Sequence, residues 1–241
     1  MEPAAHLDHF RADAARVAAA ARLGTAAPVL GCPGWDVAQL VEHLGRVHRW
    51  VYRSFDAPTT DRVEFVVEGD PDPGDDIAGW YEARAADLAG AFDTIERNKI
   101  VATFIGPQPV TWWMRRQAHE TSVHRWDAQR AHGTPEAIDP ALASDGVDEY
   151  LMTFLPRWRG KLDHVGGTVH LHCTDADGEW FMRFDDGTPN VERVHAKGDV
   201  AARGPAADLL LMMWGRVPLA ELDVIGDASV LERWLTTINV V

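Results

Sequence analysis

GCPGWDVAQLVEHLGRVHRW, residues 31–50, carries a complete start signal for a helix. Gly31, Pro33 and Gly34 make a turn, and Asp36 follows as a side chain able to accept from the first free amides of a helix. Gln39 stands three residues later, where its amide oxygen can accept from the Asp36 N–H, the reciprocal pattern of a capping box. Leu40, Leu44 and Val47 then recur at helical spacing, so one apolar stripe is expected to face a core. His43 is three residues after Leu40 and four before Val47, and it points inward with that stripe. A lone histidine in such a place is most often a satisfied core residue.

Working outward, residues 3–23 are alanine-rich, with apolar steps at Leu7, Phe10, Val17 and Leu23 and a stop at Gly24. Residues 57–76, APTTDRVEFVVEGDPDPGDD, are acidic and rich in proline and glycine. They read as a long loop with a short strand at VEFVV. Residues 76–96 form a third expected helix around Trp80, Leu88 and Phe92. A fourth runs from about Val110 to Ala131, stopped by Gly133 and Pro135, and a fifth covers about 139–155, ending at Pro156.

The pattern then changes period. GGTVHLHCTD, residues 166–175, alternates as a strand does, and DADGEWFMRFDDGTP reads as a second strand between turns. VERVHAKG and DVAARG supply two more, while PAADLLLMMWGR and ASVLERWLTTI read as helices. The expected organisation is therefore a helical bundle over 1–156 and a small α+β domain over 157–241.

The bulk properties narrow the function. A formal charge of −14 over 241 residues argues against a general nucleic-acid binder, since a phosphate backbone wants a basic face. The two cysteines, Cys32 and Cys173, cannot build a disulfide framework, and no CxxC occurs. No signal-peptide pattern and no apolar run of membrane-spanning length is visible, so a cytoplasmic protein without a membrane partner is expected.

Residues 117–127, QAHETSVHRWD, hold the second chemically suggestive pattern. Glu120 and His124 are four apart and share one side of the fourth helix. Alone they read as a solvated pair, with Arg116 extending the line. Ala128 and Ala131 on the same side would let another helix approach, which places Glu120 at the border of the core. His119 points closer to Val123 and Trp126, and spacing alone leaves it open as an alternative donor. HExxH is not met, because His119 and His124 are five apart. With His43, two imidazoles and a carboxylate on two helices suit a divalent metal with an open fourth position, or a facial triad for ferrous iron.

The remaining candidates have plainer readings. Cys32 at a helix start would favour a thiolate but reads as part of the turn. Asp127 is placed to orient His124, or to be a surface charge. His48 is five residues from His43 and is given no role. Trp113 lies on the same side of the fourth helix as the donors and could line a pocket. His170 and His172 share a strand face that is expected to be solvated.

GCPGWDVAQLVEHLGRVHRW, with RRQAHETSVHRWDAQRAHG downstream, resembles the mycothiol-dependent maleylpyruvate isomerase family. GDVAARGPAADLLLMMWGRVPLAELDVIGDASVLERW resembles the small C-terminal domain of that family. The resemblance implies a DinB-like four-helix bundle that binds a divalent metal, usually zinc, followed by a small α+β, sterol-carrier-like domain. It implies His43, Glu120 and His124 as the metal ligands. It also implies a C-terminal arginine in the reaction, which falls on Arg216 in MMWGRVP, with Arg203 in AARGP as a rival.

The chemistry so implied is an isomerisation or thiol transfer with mycothiol as cosubstrate and a small electrophile as substrate. A metal-stabilised thiolate adds to a cis double bond, rotation follows, and elimination gives the trans product. An arginine would hold a substrate carboxylate. The alternative is a non-catalytic metal- or small-ligand-binding protein built on the same bundle.

Overall fold

The computed structural model describes residues 1–60, 63–65, 71–133, 135–158, 160–162 and 164–237. Its chain forms two compact units, Met1–Ala137 and Ile138–Val241.

The first unit is built on four helices: α1 (Pro3–Leu23), α2 (Val37–Ser54), α3 (Ile77–Thr94) and α4 (Val110–Ala131). Local chemistry sets their ends. Asp36 accepts from the Gln39 amide at 2.9 Å, and the Gln39 side chain accepts from the Asp36 amide at 3.0 Å, so the expected capping box is formed. Asp76 caps α3 through the Gly79 amide at 2.9 Å. α1 opens on Pro3, whose missing N–H would be unbonded at a helix start in any case, and closes at Gly24.

The apolar stripes meet in one core that includes Phe10, Val17, Leu40, Leu44, Leu88, Phe92 and Met114, all at most 2% exposed. Burying each such side chain stabilises the bundle by roughly 1.5–3 kcal/mol before conformational entropy is counted. Gly45 matters here for its size. A Cβ at that position would stand 2.1 Å from the Trp80 ring, so α2 and α3 approach through the missing side chain. Arg125, also buried, ties α4 to α1 by donating to Asp13 at 3.2 Å.

Two features depart from the sequence reading of this unit. A two-residue pairing of β1 (Ile100–Val101) with β2 (Gln108–Pro109) precedes α4; it is too short to give a periodic signal. Val63, Glu64 and Phe65 form no strand, and the rest of VEFVV lies outside the described residues.

The second unit opens with α5 (Pro140–Glu149), capped by Asp139 through the amides of Ala141 and Leu142. The expected helix to 155 does not run straight. From Tyr150 to Phe154 it widens to a π-helical turn and then tightens to a 3-10 turn over Leu155–Trp158. Pro156 has no N–H to return to the preceding turn, which disfavours regular α geometry there. The helical pattern of the sequence continues to 156, but the compact units divide at 137/138, because α5 packs with the later elements.

A five-stranded mixed sheet follows. Its strands are β3 (Thr168–Cys173), β4 (Glu179–Asp185), β5 (Thr188–Glu192), β6 (Val200–Gly204) and β7 (Asp223–Gly226), in the order β5-β4-β3-β6-β7. β3 runs antiparallel to β4 and parallel to β6. The β4–β5 hairpin turns on Asp186 and Gly187, both at positive φ, as a two-residue hairpin turn requires. β7, a four-residue edge strand, was not expected from the sequence. Helices α6 (Ala206–Met213) and α7 (Ala228–Thr237) complete the unit.

Strand alternation divides the sheet chemically. Val169, Leu171, Trp180, Met182, Val200 and Ala202 are buried on one face. His170, His172, Glu179 and Phe181 occupy the other, as the β3–β4 register requires. Among the described residues, no helix is long and apolar enough to cross a membrane.

Candidate metal centre

His43 lies two turns inside α2, beyond the capped start of the helix. It reaches the side of α4 that carries Glu120 and His124. His43 Nε2 is 3.4 Å from Glu120 Oε1, and His124 Nε2 is 3.5 Å from the same oxygen. The His43 and His124 rings lie 5.6 Å apart, nearly perpendicular. One ligand atom from each of the three residues falls within 4.8 Å of the others. For donors about 2.0–2.1 Å from a tetrahedral ion, the edge between two donors is about 3.3–3.4 Å. The two separations to Glu120 Oε1 are close to that edge, and the three donors cluster tightly enough to be a candidate site for a small divalent ion.

Neighbouring side chains fix the donors. Arg116, buried one turn before Glu120, donates to Glu120 Oε2 at 2.7 Å and leaves Oε1 facing the imidazoles. Asp127, also buried, lies 3.0 Å from His124 Nδ1. A proton on that nitrogen donates to the carboxylate, which turns Nε2 toward Glu120. Cys32 donates to the other side of this arrangement, with its Sγ 3.9 Å from Asp127 Oδ2. The turn at 31–35 therefore packs directly behind the site. Trp35 and Phe65 flank His43, with ring centroids 5.0 and 6.0 Å from its own.

The electrostatics follow from these contacts. Burial pushes the Glu120 carboxyl upward, but hydrogen bonds from His124 and His43 and the Arg116 charge outweigh it. The group is held well below the usual carboxylate range. Burial likewise opposes charge on His124, yet the bonds to Asp127, Cys32 and Glu120 raise its affinity for a proton well above that of a free imidazole. The same electron-rich surroundings favour a divalent cation in place of the proton.

Other histidines go elsewhere. His119, the alternative donor, is buried and turns to His6, with ring centroids 5.7 Å apart. His48 is fully buried between Gln117, 2.8 Å from its Nδ1, and the Tyr81 hydroxyl, 3.3 Å from its Nε2. Burial lowers its pKa to about 4, so it is a neutral core residue. Trp113 is buried, at 1% exposed. It donates to Ala102 O at 2.9 Å and packs among Trp50, Phe104 and Trp112 in the core.

In the second unit, Arg216 follows α6 in a turn that Gly215 enters at positive φ. Arg216 is largely buried, and its guanidinium donates to Trp214 O at 2.6 Å. Arg203 on β6 is half exposed and paired with Asp223 at 3.5 Å.

Both units of the chain resemble known proteins. The family model described as the mycothiol maleylpyruvate isomerase N-terminal domain matches residues 7–129, and the model of the corresponding C-terminal domain matches residues 141–233. No curated protein sequence matches significantly. Among solved structures, a crystal structure of a mycothiol-dependent maleylpyruvate isomerase is similar with a TM-score of 0.59 and 14% identity, covering 90% of each chain. A crystal structure of a histidine-to-alanine mutant of a mycothiol-dependent maleylpyruvate isomerase is similar with a TM-score of 0.57 and 14% identity, covering 88% of each chain. At that identity the solved structures speak for the fold, and the two family matches, one on each compact unit, speak for descent: the chain belongs to the mycothiol maleylpyruvate isomerase family.

Proposed function

We propose that this protein is a metal-dependent enzyme that uses mycothiol to isomerise, or transfer a thiol to, a small electrophilic substrate. His43, Glu120 and His124 would hold the ion, with zinc the first choice for two imidazoles and one carboxylate. The observation that carries this reading is the pair of donor separations at 3.4 and 3.5 Å about one carboxylate oxygen. Three protein donors leave a fourth tetrahedral position for an exogenous ligand, which separates catalytic from structural zinc sites. An ion there supplies Lewis acidity and favours the thiolate form of a thiol that completes its coordination.

The chain's own residues do the rest. Asp127 keeps the Nδ1 proton of His124 on the outer side of the ring and the ligating nitrogen inward. Arg116 holds Glu120 in one rotamer by its second oxygen. Trp35 and Phe65 give His43 an apolar flank that strengthens charge interactions by excluding water. Arg216 is assigned to the substrate carboxylate, where a guanidinium fork matches the two oxygens and stabilises negative charge that builds up beside it. The match of MMWGRVP to the family's C-terminal domain carries this assignment, with Arg203 in AARGP as the rival.

The test is turnover of maleylpyruvate, and of other cis-configured unsaturated keto acids, by chelated and zinc-reloaded protein with and without mycothiol. Turnover is expected only with both zinc and thiol. Turnover indifferent to either would remove the reading. Arg216→Ala is expected to keep its metal and lose about 100-fold in turnover; unchanged turnover would take Arg216 out of the reaction.

A further inference from the structure

The sheet unit carries a second donor group that the proposed reaction does not use. His170 and His172 alternate on β3, Glu179 stands opposite His172 on β4, and His195 lies in the segment between β5 and β6. One ligand atom from each of these four residues falls within 4.8 Å of the others. Glu179 sits between two imidazoles. Its carboxylate is in hydrogen-bond contact with His172 Nδ1, and His195 Nδ1 is 3.0 and 3.1 Å from its two oxygens. The His170 ring centroid is 5.0 Å from that of His195 and 6.0 Å from that of His172.

His170 supplies the independent sign of a ligand. The sequence places it on an expected solvated strand face, yet it is only 6% exposed. Its Nε2 is buried and has no hydrogen-bond partner among the described residues. A buried polar nitrogen left unbonded is costly and uncommon, so it calls for an explanation. The hydrogen bonds of Glu179 satisfy His172 and His195 and leave His170 out. An ion would engage all four residues at once.

We propose that His170, His172, Glu179 and His195 form a second metal site, structural in kind, for a borderline divalent transition ion such as zinc or cobalt. Three imidazoles and one carboxylate fill a tetrahedral shell without an open position, which is the closed form of a zinc site. The site ties the 193–199 segment to the sheet. That segment is already fixed at its ends, by Arg193 to Asp148 at 2.5 Å and by Asp199 to the Thr168 amide at 2.8 Å. His195, between these anchors, is largely exposed. A metal bond there would hold the middle of the segment. Arg203, beside His172 in register, brings a positive charge to this face, and Asp223 offsets it.

The experiment is a cobalt titration of the full chain carrying Glu120→Ala, which disables the bundle donors. One equivalent of Co2+ with the intense visible bands of a tetrahedral ion is expected, displaced by Zn2+. Adding His172→Ala, or Glu179→Gln should that variant misfold, is expected to weaken binding by about tenfold or more and to remove the tetrahedral bands. Bands and affinity that survive both substitutions would overturn the site, as would a Glu120→Ala chain that takes up no cobalt. The titration does not involve turnover, so its failure leaves the proposed enzyme standing, and a failure of that enzyme leaves the sheet site intact.

Discussion

The bundle and the sheet each place a carboxylate between two imidazoles, but they do so by different means. In the bundle, Glu120 is set by Arg116 and His124 by Asp127, both buried on the same helix as the residues they hold. In the sheet, Glu179 is positioned by strand register and reaches out to His195 on an exposed segment. The first arrangement offers three donors whose orientation is fixed by neighbours. The second offers four, one of them contributed by a loop. Rigid support with an unfilled position suits an ion that must accept a substrate or cosubstrate, and a filled shell suits an ion that orders the chain.

Removing Glu120 should have the largest effect and breaks the comparison most sharply. Glu120→Ala is expected to abolish stoichiometric zinc binding at the bundle and to cost about 3 kcal/mol in stability, because it takes the carboxylate away from buried Arg116. Urea unfolding of the metal-free protein would show the stability loss. A variant as stable as the parent would mean that the Arg116–Glu120 bond does not support the donor.

A histidine of the same bundle that is not a donor should behave in the opposite manner. An unfolded imidazole takes up a proton near pH 6.5, whereas folded His48 does so only near pH 4. Between those values the unfolded state binds the extra proton. Stability from this group is therefore complete above about pH 6.5 and falls as the pH drops, by about 3 kcal/mol at pH 4. His48→Gln should flatten that acid limb in pH-dependent melting. An unchanged limb would show that His48 is not held neutral.

Asp127→Asn sharpens the account of the bundle site. It keeps the shape but removes the charge that orients His124, so zinc affinity should fall about 10- to 100-fold while the helical circular dichroism stays the same. Competition against a chromophoric chelator measures this. An unaltered affinity would assign Asp127 to packing alone. The smallest effect belongs to Asp36→Ala, which removes the α2 cap at a cost of about 1 kcal/mol. It should leave zinc binding intact, because His43 lies two turns inside the helix.

What the sequence revealed follows from how local each signal is. The capping box, the stripes and the alternation of β3 and β4 are written within a few residues, and these elements formed where expected. The pairing of α2 with α4 is not written locally, so spacing alone left His119 and His124 as rivals, and resemblance was needed to choose. Burial was the least legible property. His48, His170 and Trp113 have side-chain patterns compatible with surface, site or core, and only packing distinguishes them. The same holds for α5, whose helical pattern matches that of the bundle but whose apolar face belongs to the second unit. His195 carries no periodic signal at all, since it sits between strands, and its relation to β3 appears only once the sheet is assembled.

The central claim is that His43, Glu120 and His124 hold a divalent ion, and its most direct test is zinc content by elemental mass spectrometry. Chains carrying His172→Ala, so that the sheet site does not contribute, should hold one zinc each after reconstitution. Adding His43→Ala or Glu120→Ala to that background should remove it. A chain that holds no zinc with the bundle donors intact, or that keeps one zinc after either donor is lost, would contradict the account.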